Sequence, residues 1–186
     1  MPRLAVVMFV SALVLAAAPA RADRDPCPPP GTVAVRDDGS RWLFLGQDAS
    51  EEGMCLIRVG DRDLRLLFGV WAPVGPDVAE ARSALSALLT AGPGKTVTIR
   101  EHVATDSWTE VWERGADETL ELATGTRRAF RLERHMRLAG PVGFSARVTY
   151  WIDTETGVVL RTVHRHLEGL RLPYRDMVMT RLDRRG

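Results

Sequence analysis

The clearest pattern of apolar and polar residues lies in the C-terminal third of the chain, between Gly143 and Leu167. Two runs rich in β-branched and aromatic residues, 143–152 and 158–167, flank the turn-forming segment 153–157. Two such runs on either side of a short loop that contains glycine are typical of a β-hairpin. The pattern therefore predicts two antiparallel strands in this region.

Two more hairpins are predicted near the N-terminus. Strands 32–36 and 41–46 flank an Asp-Gly turn, and strands 54–59 and 64–70 flank a second polar turn at 60–63. Asp-Gly and Gly-Asp pairs favour the tight turns that join antiparallel strands. We therefore expect a β-hairpin module over residues 32–70.

One segment has helical periodicity. Asp77 with Glu80 three residues on is similar to a capping box, and Gly92-Pro93 ends the pattern. The apolar residues at helical spacing are Val78, Ala81, Leu85, Leu88 and Leu89. The sequence predicts a helix over 77–91 whose apolar stripe lies against a sheet.

Strand patterns return at Lys95 and continue to residue 183. The predicted strands before the hairpin at 143 are 96–103, 107–114, 118–124 and 126–138, with a turn at 115–117. A last strand is predicted over 174–182. Strands at roughly ten-residue spacing with tight turns favour an antiparallel meander over 95–183. The expected fold class is mainly β (α+β): a curved antiparallel meander sheet packed against one helix, with an N-terminal disulfide-tied β-hairpin module.

The N-terminus has the features of an export signal. Arg3 is followed by an uncharged apolar run, 4–18, and then by Ala20-Arg21-Ala22, which has small residues where a signal peptidase cuts. The apolar run is shorter than the ~20 residues that span a bilayer. We expect a signal peptide over 1–22 and a single periplasmic domain over 23–186, with no transmembrane segment after cleavage.

The chain has two cysteines, Cys27 and Cys55. Two cysteines in a protein of an oxidising compartment usually form a disulfide. No Cys-x-x-Cys motif is present and no histidine stands near either cysteine in sequence. We expect a disulfide that ties the proline-rich start of the mature chain to the third strand.

The predicted strands carry large apolar side chains on both faces. In 143–152, Val148 and Ile152 point to one side and Trp151 to the other, while Trp108 and Trp112 share a face of an earlier strand. A sheet with one wet face would alternate more cleanly. The second face is therefore expected to be covered in part, by the helix, by a neighbouring sheet or by a ligand.

Histidines give the one candidate for metal chemistry. His164 and His166 fall on the same side of a strand, which is one way to begin a zinc or copper site, and His102 or His135 would be the third ligand. The alternative is that both histidines edge the core. No nucleophile motif is present, and Glu110 with Glu113 reads as a solvated strand edge rather than a catalytic pair.

Charge is uneven along the mature chain. Residues 23–125 carry a balance of −8 and residues 126–186 a balance of +7. Either acidic and basic strands pair side by side, or the basic part forms a face for an anionic partner. Export and a formal net charge of +1 argue against nucleic-acid binding.

The C-terminal hairpin also resembles a turn segment that is common in exported bacterial proteins of the LolA-like class, which includes lipoprotein carriers and RseB/MucB-type regulators. The residues that carry the resemblance are Trp151, Asp153, Thr156, Gly157, Leu160 and Arg161. The resemblance implies a half-open antiparallel sheet curved around a helix, with an apolar concave side that accepts acyl chains.

These observations predict a protein without catalytic residues or cofactor, which binds an apolar or lipid-like ligand or an envelope partner on an aromatic sheet face. The predicted contacts are Trp108, Trp112 and Trp151, with Arg147 and Arg161 placed to meet an anionic head group. Two alternatives remain open. One is a metal-dependent or hydrolytic enzyme that uses His164 and His166, and the other is a structural envelope component without a ligand.

Overall fold

A computed structural model of the chain describes residues 26–72, 78–103, 106–139 and 143–183. The predicted signal peptide, residues 1–22, lies outside these ranges. The elements in chain order are β1 (Val33–Arg36), β2 (Arg41–Gln47), β3 (Met54–Val59), β4 (Arg62–Leu67), α1 (Val78–Thr90), β5 (Thr96–Val103), β6 (Asp106–Leu122), β7 (Gly125–Ala139), β8 (Phe144–Asp153), β9 (Val159–Gly169) and β10 (Met177–Asp183).

All the described strands belong to one antiparallel sheet of ten strands, with the order β4-β3-β2-β1-β10-β9-β8-β7-β6-β5. Each half is a meander in which neighbours in sequence pair with each other. The halves meet where β1 pairs with β10, with Val33 opposite Asp183. This architecture, with the helix α1, confirms the predicted fold class and shows that the N-terminal hairpins extend the main sheet.

The sheet is strongly curved. Trp71 follows β4 at one edge, and Trp112 lies on β6 near the other edge, yet their ring centroids are 5.6 Å apart. In a flat sheet, eight strand spacings of about 4.8 Å would separate β4 from β6 by about 38 Å. The face that carries Trp112 is therefore the concave face. Strand alternation places Leu132 and Val148 on it too.

Helix α1 covers part of the concave face. Its buried residues are Ala81, Leu85 and Leu88, which are spaced at three and four positions as the sequence pattern predicted. They pack in one cluster with Ile99 of β5 and Trp112 of β6. The predicted first helical residue, Asp77, lies outside the described ranges. Among the described residues, no helix has the length and apolarity of a membrane span.

The predicted disulfide is present. Cys27 and Cys55 are bonded, with a sequence separation of 28 residues, and both are buried. Cys55 lies on β3 opposite Gln47 of β2. The bond therefore fastens the segment before β1 to the N-terminal half of the sheet.

The loop of the C-terminal hairpin is closed by its own side chains. The carboxylate of Asp153 accepts hydrogen bonds from the backbone N–H of Thr156 at 2.8 Å and from its hydroxyl at 2.6 Å, and both side chains are buried. Gly157 follows with a φ of 76°, which favours glycine. The Asp-x-x-Thr-Gly motif at this turn thus has a structural role.

Two predicted turns are wrong in position. The segment 115–117 is a bulge rather than a turn, because β6 continues for 17 residues along the equally continuous β7, and the chain reverses after Leu122. A Cβ on Gly115 would lie 2.9 Å from Nε of Arg131, so the bulge brings these strands close together. The turn after β3 is also shorter than predicted, since Val59 pairs with Arg62.

Candidate functional site

The predicted ligand contacts do not form one surface. Trp108 and Trp112 share the concave face, as alternation along β6 predicted. Trp151 and Arg147 on β8 point to the convex face, and so does Arg161, which lies directly opposite Trp151 on β9. A single ligand on one side of the sheet therefore cannot contact all five side chains.

Trp112 lies at the centre of a buried aromatic cluster. Its side chain is 0% exposed, and it stacks on Tyr150 with 5.9 Å between ring centroids and 10° between ring planes. Trp71 meets it from the far edge of the sheet at 59°. The cluster joins the segment after β4 to β6 across the concave face, and no face of the Trp112 ring is open to a ligand.

A buried ion pair lies inside this cluster. The guanidinium of Arg134 donates two hydrogen bonds to the carboxylate of Glu110, one of them Nε–H to Oε2 at 2.8 Å. Its central carbon lies 5.2 Å from the ring centroids of both Trp71 and Trp112. The indole N–H of Trp112 donates to the same carboxylate at 3.0 Å. Glu110 is 1% exposed, so its interpretation as a solvated strand edge is wrong.

Burial shapes the electrostatics of this pair. Burial alone would lower the pKa of Arg134, but interactions with Tyr150 and with the carboxylate of Glu110 outweigh it and raise the pKa. Burial raises the pKa of Tyr150, which the guanidinium of Arg134 partly opposes. Both groups therefore keep their ordinary charge states at neutral pH. The ion pair thus anchors β6 to β7 inside the aromatic cluster.

The concave face is more open at the end of the sheet near Trp108. Trp108 pairs across the sheet with Leu138, which pairs in turn with Phe144. The rings of Trp108 and Phe144 are 5.5 Å apart; Phe144 is buried, whereas Trp108 and Leu138 are only partly buried. The exposed His166 lies 6.3 Å from Phe144. We call Trp108, Leu138, Phe144 and His166 the open-end cluster.

The connector between β9 and β10, residues 170–176, contacts the concave face beside this cluster at His164. Tyr174 stacks on His164 with 5.0 Å between ring centroids, and the carboxylate of Asp176 accepts a hydrogen bond from the backbone N–H of His164 at 2.7 Å. Two apolar side chains of the connector remain in solvent, since Leu170 is 58% and Tyr174 50% exposed. The connector thus adds apolar surface beside the open-end cluster.

We expect His164 to make stability depend on pH. Burial lowers the pKa of His164 below the ordinary histidine value of 6.5, aided by Arg134 and partly offset by Asp176. As the pH falls, the unfolded chain takes up the proton before the folded chain does. The contribution of neutral His164 to the free energy of unfolding should therefore be complete above about pH 6.5 and be lost as the pH drops from there towards the lower pKa of the folded state. Urea unfolding at about pH 7.5 and about pH 5.5 should show this loss.

Substitution identifies the source of the pH effect. His164→Gln should make the difference between the two pH values smaller, whereas His166→Gln, at an exposed position on the same strand, should leave it unchanged. An equal change in both variants would assign the effect to groups other than His164.

The histidines do share the concave face, as the predicted register requires. His164 lies opposite Val148, and His166 lies opposite Ala146. His135, however, lies opposite Arg147 and points to the convex face, so it cannot be the third ligand. Within the described part of the chain, no group of three or more histidine, cysteine, aspartate or glutamate side chains could hold a metal ion.

The uneven charge is largely matched between β6 and β7. Glu110 of β6 pairs with Arg134 of β7, and Glu118 of β6 lies 3.4 Å from Arg131 of β7. The acidic half thus lies beside the basic half, as the first of the two interpretations of charge proposed. Several arginines of β7, β8 and β9 stay outside this pairing on the convex face.

These features define the described part of the chain as mainly β, with one helix on the concave side of a curved antiparallel sheet. No protein-family model matches the chain, and no curated protein matches its sequence. Solved structures that are similar to it include the following two. One is the hypothetical lipoprotein YmcC from Escherichia coli K12, at 15% identity and a TM-score of 0.47, covering 81% of this chain and 82% of that one.

The other is a putative exported protein with a YmcC-like fold from Bacteroides fragilis, at 12% identity and a TM-score of 0.38, covering 85% of this chain and 98% of that one. Similarity at this level transfers neither an activity nor a ligand. Neither structure is described as LolA-like or RseB-like, so that resemblance stays a prediction.

Proposed function

We propose that this chain is a non-catalytic protein of the bacterial envelope that binds an apolar, acyl-chain-like ligand at the open-end cluster. The observation that carries the proposal is the pair of rings of Trp108 and Phe144 at the less covered end of a concave sheet face. Small-molecule sites are typically concave and apolar, with a few polar groups at the edge. His166 is such a group here.

The rest of the concave face narrows the choice of ligand position. Its centre is filled by the cluster of Trp112 and Tyr150, and helix α1 covers the side next to β5. An acyl chain would therefore lie between the open-end cluster and the connector 170–176, where Leu170 and Tyr174 offer further apolar surface. Of the five contacts predicted from sequence, the proposal keeps Trp108.

A fatty acid with a brominated chain tests this position, because bromine quenches indole fluorescence only on contact. We expect dibromostearate to quench wild-type fluorescence and to lose most of this effect in Trp108→Phe. Trp108→Ala should weaken binding roughly tenfold, because it removes part of the apolar contact. Native mass spectrometry of the purified protein should show a co-purifying lipid.

Trp151→Phe is the matched control. Because Trp151 lies on the convex face, this substitution should leave the quenching intact. Quenching lost in Trp151→Phe but kept in Trp108→Phe would place the ligand on the other face. Neither quenching nor a bound lipid in wild-type protein would favour a structural component or a protein partner instead.

The proposed location rests on the signal-like N-terminus, residues 1–22. The mature protein should appear in the periplasmic fraction, and its N-terminal residue should be Asp23. Retention of Met1 in a cytoplasmic fraction would contradict export.

A further inference from the structure

A row of basic side chains crosses the convex face. Arg147 on β8 lies directly opposite His135 on β7 and directly opposite Arg165 on β9. On β6 the basic row ends, because the residue opposite His135 is Val111, which is 40% exposed. Side chains directly opposite each other on antiparallel strands have Cβ atoms about 5 Å apart, so like charges there destabilise the sheet.

Acidic groups neutralise this row only in part. Glu133 lies 4.0 Å from Arg147 but also 3.2 Å from Arg131, and its charge is shared between them. Arg165, and Arg137 next along β7, make no ion pair with any residue that the structure describes. The strand alternation of this face therefore sets exposed cations side by side at a cost to folding, and an external anion would offset that cost.

An aromatic group lies on the same face beside the row, since Trp151 is four residues along β8 from Arg147. The guanidinium of Arg161 lies 4.9 Å from the centroid of the Trp151 ring, and the indole N–H of Trp151 donates to Glu118 at 2.8 Å. Trp151 is partly buried, with its polar edge bonded and part of the ring in solvent. Indole rings with this division between polar and apolar parts are favoured where a protein meets a lipid head-group layer.

We propose that the convex face of β7, β8 and β9 docks on a membrane surface that carries anionic phosphate head groups. Arginine matches phosphate because its planar guanidinium can donate two parallel hydrogen bonds. The cations are spread over three strands of an exposed sheet face rather than gathered in a pocket, which fits an array of phosphates better than one enclosed anion. The inference uses the face opposite the open-end cluster and does not rest on the proposed function.

The test is co-sedimentation of the mature chain with vesicles of phosphatidylcholine alone and of phosphatidylcholine with phosphatidylglycerol. We expect binding to the anionic vesicles only, and weaker binding as sodium chloride is added. The double variant Arg147→Gln/Arg165→Gln should reduce partitioning on the order of 10- to 30-fold, because each arginine near an anionic surface contributes about one factor of five.

A matched control removes the same charge elsewhere. Arg41 and Arg62 are exposed on β2 and β4, in the other half of the sheet, and Arg41→Gln/Arg62→Gln should bind nearly as well as wild type. Equal losses of vesicle binding in the two double variants would show that only the net charge matters, and would overturn the proposed surface. Equal binding to neutral and anionic vesicles would overturn it as well.

Two further measurements separate the remaining outcomes. Because the row repels itself, Arg147→Gln/Arg165→Gln should unfold at the same urea concentration as wild type or a higher one, so a loss of binding is not a loss of folding. Inorganic phosphate should compete no better than sodium chloride of equal ionic strength. Stronger competition by phosphate, lost in the double variant, would identify a small-anion site and overturn the membrane assignment.

Discussion

Glu110→Gln is expected to lower the free energy of unfolding by roughly 3–5 kcal/mol, the cost of removing one member of a buried ion pair. The substitution keeps the shape of the side chain but leaves the guanidinium of Arg134 without its counter-charge between the rings of Trp71 and Trp112. An uncompensated charge at a buried position is far more costly than the loss of one exposed contact. Urea unfolding followed by far-UV circular dichroism gives the measurement.

Glu113→Gln is the matched control, because Glu113 lies three residues along the same strand, on the opposite face and exposed. Its effect should stay within about 0.5 kcal/mol. Replacing the whole pair, as in Glu110→Leu/Arg134→Met, should cost less than Glu110→Gln alone, because no charge is then left buried. Similar losses for Glu110→Gln and Glu113→Gln would contradict the anchoring role of the pair.

Loss of the disulfide should have an effect of similar size. The bond between Cys27 and Cys55 closes a loop of 28 residues, and removing such a constraint from the unfolded chain costs roughly 3–4 kcal/mol. Cys27→Ala/Cys55→Ala should therefore shift urea unfolding to lower concentrations. Wild-type protein treated with a reductant should unfold at the same concentration as the double variant.

The reductant itself provides the control, since it should leave the unfolding of the double variant unchanged. A wild-type transition that does not respond to reduction would show that the segment before β1 contributes little to the stability of the sheet. Both outcomes are read from the same titration.

Local pattern predicted most of the elements of this fold. The hairpin of β8 and β9 and the strand β5 follow from alternation and turn residues within a dozen positions of each other. The bulge at Gly115 was missed because a Gly-Ala-Asp segment satisfies a turn and a bulge equally well. The choice depends on β7, whose unbroken length lies further along the chain.

The candidate site depended on longer-range information. Trp108 and Trp112 are four residues apart, so strand alternation along β6 was enough to place them on one face. Relating that face to Trp151 requires the register of β6 on β7 and of β7 on β8. The burial of Glu110 could not be predicted from the sequence either, because its partner Arg134 lies on β7 and the ring of Trp71 comes from the opposite edge of the sheet. The sequence did contain one signal of this burial: Glu110 lies between Trp108 and Trp112 on the same face of a strand.

The joint between the two halves of the sheet has a consequence for how the protein is made. The strands β1 to β4 are synthesised first, yet β1 receives its partner β10 only when residues 177–183 have followed. Until then β1 presents unpaired backbone groups, which invite pairing with a second nascent chain. Pairings of such long sequence separation also form slowly. The time between the first hairpin and the final strand is therefore the period in which this protein most needs protection from aggregation.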